Sequence, residues 1–293
     1  MNKQAALLLM TKKGSNVLKS LAEAGFSGSI SKVVIGKDEN QYDFSEEIKT
    51  ICEANGISYL LKGDSYSIEK FGYVIAIGWR WMIEDAKNLI VLHDSLLPKY
   101  RGFAPLVNAL LNKEETIGAT AIWGSEKYDE GDILLQKSFR VKHPIKIENA
   151  IDLMGSCYAE IVCKIFQMIL DGQELSRIPQ KGEKATYSLW RDEEDYHIDW
   201  TQSSEKIQLM VNTLGHPYKG AYTLLGNEKV RILDVEIMED VSIARRDCGK
   251  VLFLAEGKPS VVCGTGVLKI QEAIYDETQE SVFPLKVFRT RFR

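Results

Sequence analysis

The chain of 293 residues is long enough for one large domain or two smaller ones, and its 45% apolar and 27% charged residues are typical of a soluble globular protein. A net charge of −4 disfavours a broad basic surface for nucleic acid. No apolar run approaches the ~20 residues of a membrane helix, and the apolar stretch at residues 5–10 is too short for a signal peptide. We therefore expect a cytoplasmic protein that does not enter a membrane.

The five cysteines give no sign of a disulfide framework or a metal site. Their number is odd and none forms a C-x-x-C pair, so we expect no metal. Cys157 and Cys163 lie in an apolar helical pattern, which predicts core residues. A nucleophilic cysteine is an open alternative, although no pattern points to one.

Five apolar stretches in the first third of the chain predict buried strands, at residues 5–11, 30–35, 57–61, 73–77 and 89–92. Helical patterns separate some of them, at 12–25 and at 44–54, the second opened by Asp43 as N-cap. This alternation predicts an α/β fold with a mostly parallel, Rossmann-like sheet and helices on both faces. The first strand–helix turn has no G-x-G-x-x-G or G-K-[ST] pattern, so a nicotinamide or nucleoside triphosphate is not indicated.

A smaller β-rich domain is predicted in the last third of the chain. A helical pattern at residues 147–170 ends at Asp171-Gly172, and a stretch rich in Lys, Gln and Gly follows. We place the domain boundary there, which gives domains at 1–180 and 181–293. One amphipathic helix at 203–214 precedes short strand-like runs at 221–225, 230–237, 250–254, 260–263 and 267–272. Their regular turns predict a small, OB-like β domain.

Two polar residues, His93 and Asp129, follow apolar runs that predict strands at 89–92 and 117–123. Each residue lies just past the carboxyl end of its strand, so we expect both at the edge of the sheet where open α/β sheets bind ligands. A carboxylate beside an imidazole favours the protonated ring and orients it, which suits acid–base catalysis. Each residue alone also has an ordinary structural explanation, as a hydrogen-bonded histidine or a turn aspartate.

The segment around these residues resembles the folate-dependent formyltransferases, which include methionyl-tRNA formyltransferase and the sugar N-formyltransferases. The resemblance is carried by the run from His93 to Gly102 (HDSLLPKYRG), by Gly118-x-Thr120 and by Asp129-x-Gly131-Asp132-Ile133. A weaker likeness continues at Asp195-x-x-Ile198-Asp199-Trp200, at Pro217-Tyr218-x-Gly220-Ala221 and at 289–292. The likeness thus covers most of the chain and is specific in its middle.

The resemblance implies formyl transfer from N10-formyltetrahydrofolate, as co-substrate, to a primary amine. It implies that His93 and Asp129 are catalytic and that the segment at residues 79–83 holds the pterin ring. We predict that folate contacts Arg80, Trp81, Met82, Ile83, Leu97 and Tyr128. We predict that the amine substrate contacts Ser95, Lys99, Tyr100, Arg101 and Gly102. Two alternatives stay open, namely that Trp79, Trp81 and Met82 belong to the core and that Arg101 is structural.

The chain departs from the family pattern at Val91, where the family usually has an asparagine two residues before the histidine. That asparagine is normally assigned a contact to the oxyanion. With valine there, we expect His93 or a backbone N–H to carry more of the oxyanion stabilisation.

The amine predicted for this chain belongs to a nucleotide-linked amino sugar of the kind used for bacterial surface polysaccharides, because the acidic composition disfavours tRNA. One alternative is a methionyl-tRNA formyltransferase. Another, based on Val91, is a catalytically weakened folate-binding homologue. A homodimer formed by residues 267–293 is a further expectation.

Overall fold

The chain divides into two compact units. The computed structural model describes residues 4–38, 42–65, 71–83 and 88–293. The first unit holds the residues up to 109, 114–141 and 150–190, and the second holds 110–113, 142–149 and 191–293. The sequence placed the boundary between residues 180 and 181, and by their contacts residues 181–190 group with the first unit.

The first unit is built on a seven-stranded sheet. Its strands, with one short strand that lies outside the sheet, are β1 (Ala5–Leu9), β2 (Ile30–Ile35), β3 (Tyr59–Leu61), β4 (Tyr73–Ile77), β5 (Leu89–His93), β6 (Arg101–Gly102), β7 (Thr116–Trp123) and β8 (Ile133–Arg140). The order in the sheet is β3-β2-β1-β4-β5-β7-β8. All pairs from β3 to β5 are parallel, whereas β7 and β8 are antiparallel to their neighbours. The predicted mostly parallel sheet is confirmed.

Strand β8 had no counterpart among the predicted elements. It forms the edge of the sheet, and only one of its eight residues, Leu134, is buried. An edge strand needs little apolar surface, so its sequence, ILLQKSFR, shows no sustained apolar run. A second short strand, β9 (Tyr187–Ser188), pairs in parallel with β6.

Helices accompany the sheet of the first unit: α1 (Thr11–Glu23), α2 (Ser45–Ala54), α3 (Pro105–Leu111) and α4 (Ile147–Asp171). The N-cap of α2 is Phe44 and not Asp43 as predicted, and no side chain caps this helix. The Asp43 carboxylate instead accepts hydrogen bonds from the backbone N–H and the hydroxyl of Ser45, the first helical residue. Gly14 lies where a Cβ would come 3.3 Å from the Leu9 Cβ, so α1 lies tightly against the end of β1.

Helix α4 is long and apolar enough, by length and composition alone, to cross a membrane. Half of its most apolar window is nevertheless buried inside the protein. The buried hydrophobic residues recur at helical spacing along one stripe, as in a core helix; they are Ile147, Ala150, Met154, Cys157, Tyr158, Ile161, Val162, Ile165, Phe166 and Ile169.

The part of the second unit from residue 191 onward is built on helix α5 (Ser204–Leu214) and a five-stranded antiparallel sheet. The strands are β10 (Ala221–Leu225), β11 (Glu228–Met238), β12 (Val251–Ala255), β13 (Lys258–Val262) and β14 (Val267–Tyr275), in the order β10-β11-β14-β13-β12. The Ser203 hydroxyl accepts a hydrogen bond from the Lys206 N–H and caps α5. The predicted β-rich C-terminal domain is confirmed.

Candidate active site

His93 and Asp129 meet, but not in the way that the sequence suggested. Strand β7 is antiparallel to β5, and its last residue, Trp123, pairs with Ile90, whereas His93 pairs with Thr120. Trp123 thus lies about 10 Å along β5 from His93. Residues 124–132 cover that distance and return Asp129 to His93. The expectation that both strands end at one edge was wrong, although the pairing of the two side chains was right.

Both nitrogens of the His93 ring face hydrogen-bond acceptors. Nδ1 lies 3.3 Å from Oδ1 of Asp129, and Nε2 lies 2.8 Å from the carbonyl oxygen of Tyr100. A neutral imidazole donates from one nitrogen only, whereas the imidazolium donates from both. Both acceptors that this buried ring faces could therefore be bound at once only by the imidazolium.

The Asp129 carboxylate is held by two partners. Besides facing His93, it accepts a hydrogen bond of 2.8 Å from the backbone N–H of Gly102 through Oδ2. Its backbone has φ of 55°, in the left-handed region that aspartate tolerates better than most residues. Two residues on, a Cβ at Gly131 would lie 1.7 Å from the Trp123 carbonyl oxygen. The D-x-G pattern thus follows from a close approach of the loop to β7.

Side chains of β7 and β8 determine the shape of the loop that follows His93. The Thr120 hydroxyl donates to the Ser95 carbonyl at 2.6 Å and accepts from the Leu97 N–H at 3.2 Å. The Gln136 amide donates to both Thr120 Oγ1 and the Leu97 carbonyl, at 2.9 and 2.8 Å. Thr120 and Gln136 were given no role by the sequence, although Thr120 stood in the family motif.

Three of the predicted substrate residues line one cavity. Ser95, Lys99 and Tyr100 border a space of about 540 Å³, a volume suited to a small ligand. Glu114 also lines it, accepting a hydrogen bond of 2.8 Å from the Tyr100 hydroxyl and lying 3.5 Å from Lys99 Nζ. The Ser95 hydroxyl donates to the Lys99 carbonyl, so within this loop it acts as a brace.

Arg101 is buried, and its guanidinium contacts protein groups. Its Nε and Nη2 donate to Oε1 of Gln180 at 3.1 and 2.8 Å, and its Nη1 lies 3.2 Å from Oε1 of Glu130. These contacts match the structural alternative considered for this residue. Gly102, the last predicted substrate residue, lies in β6 and binds Asp129 as described.

Asp94, directly after His93, is held by side chains of helices α1 and α4. It forms an ion pair with Lys13 of α1 and accepts a hydrogen bond of 2.5 Å from the Tyr158 hydroxyl of α4. Burial alone would raise the pKa of the Asp94 carboxyl, but the Lys13 ammonium and the two hydrogen bonds leave that pKa below its usual value. Burial, with the Asp94 charge nearby, raises the pKa of Tyr158 well above its usual value.

The predicted folate segment packs beside the ends of β2 and β3. Trp79 and Trp81 meet edge to face at 5.0 Å, and a Cβ at Gly36 would come 2.9 Å from Trp81. Arg80 donates to the buried Asp38 carboxylate at 3.0 Å, and Lys62 Nζ lies 4.1 Å from the Trp81 ring centroid.

The other predicted folate residues differ in exposure. Met82 and Tyr128 are 62% and 74% exposed, Leu97 is buried, and Ile83 packs against a core cluster. Their contact with folate stays a prediction.

The cysteine alternative finds no support in the buried thiols. Burial raises the pKa of Cys157 to about 11 and that of Cys263 to about 12, so neither forms a thiolate readily near neutral pH. Among residues 4–38, 42–65, 71–83 and 88–293, no group of three or more His, Cys, Asp or Glu side chains could hold a metal ion.

Family comparisons match both units. The formyl transferase family model matches residues 72–153, and the model of the formyl transferase C-terminal domain matches residues 191–281. The methionyl-tRNA formyltransferase of Moorella thermoacetica is 30% identical over 185 residues, which are 63% of this chain and 58% of that protein. The chain thus spans less than two thirds of the length of this relative.

Two solved structures share the fold over nearly the whole chain. The N-formyltransferase of Helicobacter canadensis, in complex with folinic acid and dTDP-3-aminofucose, superposes with a TM-score of 0.71 at 16% identity, covering 92% of this chain and 98% of that one. A variant of HypX from Aquifex aeolicus has a TM-score of 0.64 at 18% identity, covering 95% of this chain and 45% of that one.

Proposed function

The chain belongs to the formyl transferase family, and from that premise we propose that it moves a formyl group from N10-formyltetrahydrofolate to the primary amine of a nucleotide-linked amino sugar. The observation that carries the proposal is the contact between His93 Nδ1 and the Asp129 carboxylate. Formyl transfer needs an acid–base group beside the reacting carbonyl, and this pair supplies one.

In the proposed reaction, the free amine attacks the formyl carbon, and the carbonyl π electrons move to oxygen to give a tetrahedral oxyanion. The protonated His93 ring donates a hydrogen bond to that oxygen, a type of contact that typically contributes ~3 kcal/mol. The carbon–nitrogen bond to N10 then breaks, and N10 receives a proton from His93. His93 is neutral after giving its proton to N10, and it then takes the extra proton from the attacking amine. Asp129 stabilises the imidazolium throughout.

For this step His93 must exchange the Tyr100 carbonyl for the substrate. In ligand-free structures, catalytic hydrogen bonds are often not yet in their reactive geometry, which forms only in the complex with substrate. The Tyr100 carbonyl is hydrogen-bonded to Nε2 of His93, the ring nitrogen that does not face Asp129. We assign Nε2 as the atom that donates to the oxyanion, and the cavity beside Tyr100 and Glu114 as the place of the amine substrate.

The choice of an amino sugar rests on charge and on length. Residues 191–293 contain 17 Asp and Glu against 14 Lys and Arg, whereas a domain that binds tRNA needs a basic face. The likeness in fold to the Helicobacter N-formyltransferase, whose structure holds dTDP-3-aminofucose, covers both chains almost completely.

The alternative substrate is methionyl-tRNA, because the 30% identical Moorella relative is named a methionyl-tRNA formyltransferase. The weakened-homologue alternative rests on Val91, which shares a face of β5 with His93 and packs against the sheet core. Both are separate outcomes of one experiment.

The experiment incubates the protein with N10-formyltetrahydrofolate and a panel of dTDP-, UDP- and GDP-linked amino sugars, with charged methionyl-tRNA in parallel. Mass spectrometry then detects the formylated product. We expect a formylated sugar nucleotide and no formyl-methionyl-tRNA. Formylation of the tRNA alone would replace the sugar proposal. Binding of a folate analogue without transfer to any amine would identify the weakened homologue.

The remaining parts of the proposal concern place and assembly. We propose a cytoplasmic reaction without a metal, with small molecules as the partners. Pairing of two copies through residues 267–293 stays a prediction, which light scattering after size-exclusion chromatography would test.

A further inference from the structure

Gln180 lies in a segment that the sequence assigned to the domain boundary, yet this segment is fixed to the sheet. Ile178 and Ile133 exchange two backbone hydrogen bonds, of 2.8 and 3.0 Å. The Trp123 indole N–H donates to the Ser176 carbonyl at 2.9 Å, and the Arg177 guanidinium lies 3.9 Å from the Trp123 ring centroid. The backbone just before Gln180 is therefore anchored to the end of β7 and the start of β8.

The Gln180 side chain joins the two loops that meet at His93. Its Nε2 donates to the carbonyls of Asp129 and Gly131, at 2.7 and 2.8 Å. Its Oε1 accepts two hydrogen bonds from Arg101, at 3.1 and 2.8 Å. A primary amide has two donor hydrogens and two acceptor lone pairs, and all four are used here. A flipped amide would set its donors against those of Arg101, so one orientation is fixed.

We propose that Gln180 is a positioning residue for the formyl-transfer site, because it holds the Asp129 turn at the distance that lets the carboxylate reach His93. This inference rests on the proposed function. Asp129 takes a left-handed backbone conformation, which persists only when its surroundings enforce it. The two carbonyl contacts from Gln180 enforce it from one side, and the Gly102 N–H holds the carboxylate from the other.

Arg101 is the second residue that holds the Asp129 turn in place. Its buried guanidinium binds Gln180 and the Glu130 carboxylate, and Glu130 is the residue between Asp129 and Gly131. Two side chains, the charged Arg101 and the neutral Gln180, thus connect β6 to the Asp129 turn. Neither side chain contacts the reacting atoms in the proposed mechanism.

Two substitutions at Gln180 distinguish the role of its amide oxygen from that of its amide nitrogen. Gln180→Ala removes all four hydrogen bonds. Gln180→Glu keeps an acceptor for Arg101 but presents carboxylate oxygens to two carbonyl oxygens, so it lacks the donors that hold the Asp129 turn. Gln167→Ala is the matched control, because Gln167 is an exposed residue of α4 whose amide donates to Asp171 only one turn away.

We expect both Gln180 variants to lose about 10- to 100-fold in kcat with KM changed less than threefold, since a misplacement of about 1 Å can reduce a rate 100-fold. The comparison is made at a temperature where circular dichroism shows each variant folded. Gln180→Glu should keep more thermal stability than Gln180→Ala, while its kcat falls as far. Gln167→Ala should match the wild type.

A second measurement does not depend on turnover. In ¹⁵N-labelled protein, the proton between His93 Nδ1 and the Asp129 carboxylate should give a downfield signal, assigned by its loss in Asp129→Asn. We expect that signal to vanish in both Gln180 variants and to persist in Gln167→Ala. A folded Gln180→Ala protein that keeps it would overturn the proposal. If the wild type formylates no amine, the proposed function fails, while this signal still decides the role of Gln180.

Discussion

The Nε2 atom of His93 lies 2.8 Å from the carbonyl oxygen of Tyr100, on the side of the ring away from Asp129. The backbone of Tyr100 adopts φ of 59°, in the left-handed region. That conformation is supported by contacts on both sides of the residue: the Tyr100 N–H donates to Thr186 Oγ1 at 2.9 Å, and its hydroxyl donates to Glu114. In this structure, a backbone oxygen therefore occupies the place where the proposed mechanism puts a substrate oxygen.

Substitution of the pair tests the proposed chemistry directly. His93→Asn and Asp129→Asn should each lower kcat by about 100- to 10,000-fold, the range that positioned acid–base groups contribute. Steady-state assays with the best amine from the panel measure this. The double variant should lose little more than the worse single one, because the two residues act as a unit. Turnover near wild type in either single variant would remove the pair from the mechanism.

The valine at position 91 gives a prediction of increased activity. Val91 and His93 point to the same face of β5, so an asparagine at position 91 would place an amide donor next to the ring. One oxyanion donor typically contributes about 100- to 1,000-fold to kcat in a site built around it. Since this site was not built around an asparagine, we expect Val91→Asn to raise kcat by only about tenfold. Val91→Ala is the control for altered packing and should not raise it. An unchanged or lower rate in Val91→Asn would indicate that backbone N–H groups already bind the oxyanion.

The Asp129 turn should tolerate no side chain at position 131. A Cβ there would lie 1.7 Å from the Trp123 carbonyl oxygen. Gly131→Ala must therefore displace the turn, and overpacking of this kind typically destabilises by about 1–3 kcal/mol. Urea unfolding measures the loss, and kcat should fall along with it because Asp129 moves. Gly182→Ala has open space around the new Cβ and no positive φ, so its stability and activity should stay near wild type.

The ion pair between Lys13 and Asp94 gives a prediction with a defined pH dependence. Lys13→Met leaves a largely buried carboxylate without its cation, which should destabilise the protein by roughly 3 kcal/mol at pH 7. Lys13→Met/Asp94→Asn should recover most of that loss, since no unpaired charge remains. Urea unfolding of both variants measures these differences.

The sign of the pH effect follows from the pKa of Asp94, which Lys13 keeps below its usual value despite burial. In the wild type, this contribution to stability is present above the unfolded pKa and is lost as the pH falls through the folded one. Without Lys13, burial raises the pKa, so Asp94 becomes protonated sooner on acidification. The stability gap between wild type and Lys13→Met should therefore narrow from pH 7 to pH 5. A constant gap would mean that the Asp94 charge does not cause it.

Much of this architecture could be predicted because burial leaves a pattern in the chain. The strands Ile30–Ile35, Tyr73–Ile77 and Ala221–Leu225 were predicted with the bounds that the structure has. Each is a mostly apolar run with a glycine directly after it. The family motif likewise brought His93 and Asp129 together without any knowledge of strand direction.

The direction of β7 and the role of Gln180 left no such pattern. A fully buried strand has the same composition in either direction, so His93 and Asp129 were wrongly assigned to a common edge. Gln180 is one polar residue in a polar stretch, and its importance comes from Arg101 and Asp129, which are distant in the sequence. Hydrogen bonds between remote side chains are set by tertiary geometry, which local periodicity does not encode.

The antiparallel course of β7 also limits how this family member can change over evolution. Surface connections usually accept insertions and deletions freely, and residues 124–132 would be judged such a connection by composition. They instead bridge a fixed distance from Trp123 to His93, where Asp129 must place its carboxylate, and hydrogen bonds hold them at both ends. A one-residue insertion there would shift Asp129 out of register as effectively as its substitution, so the length of this loop should be as strongly selected as its sequence.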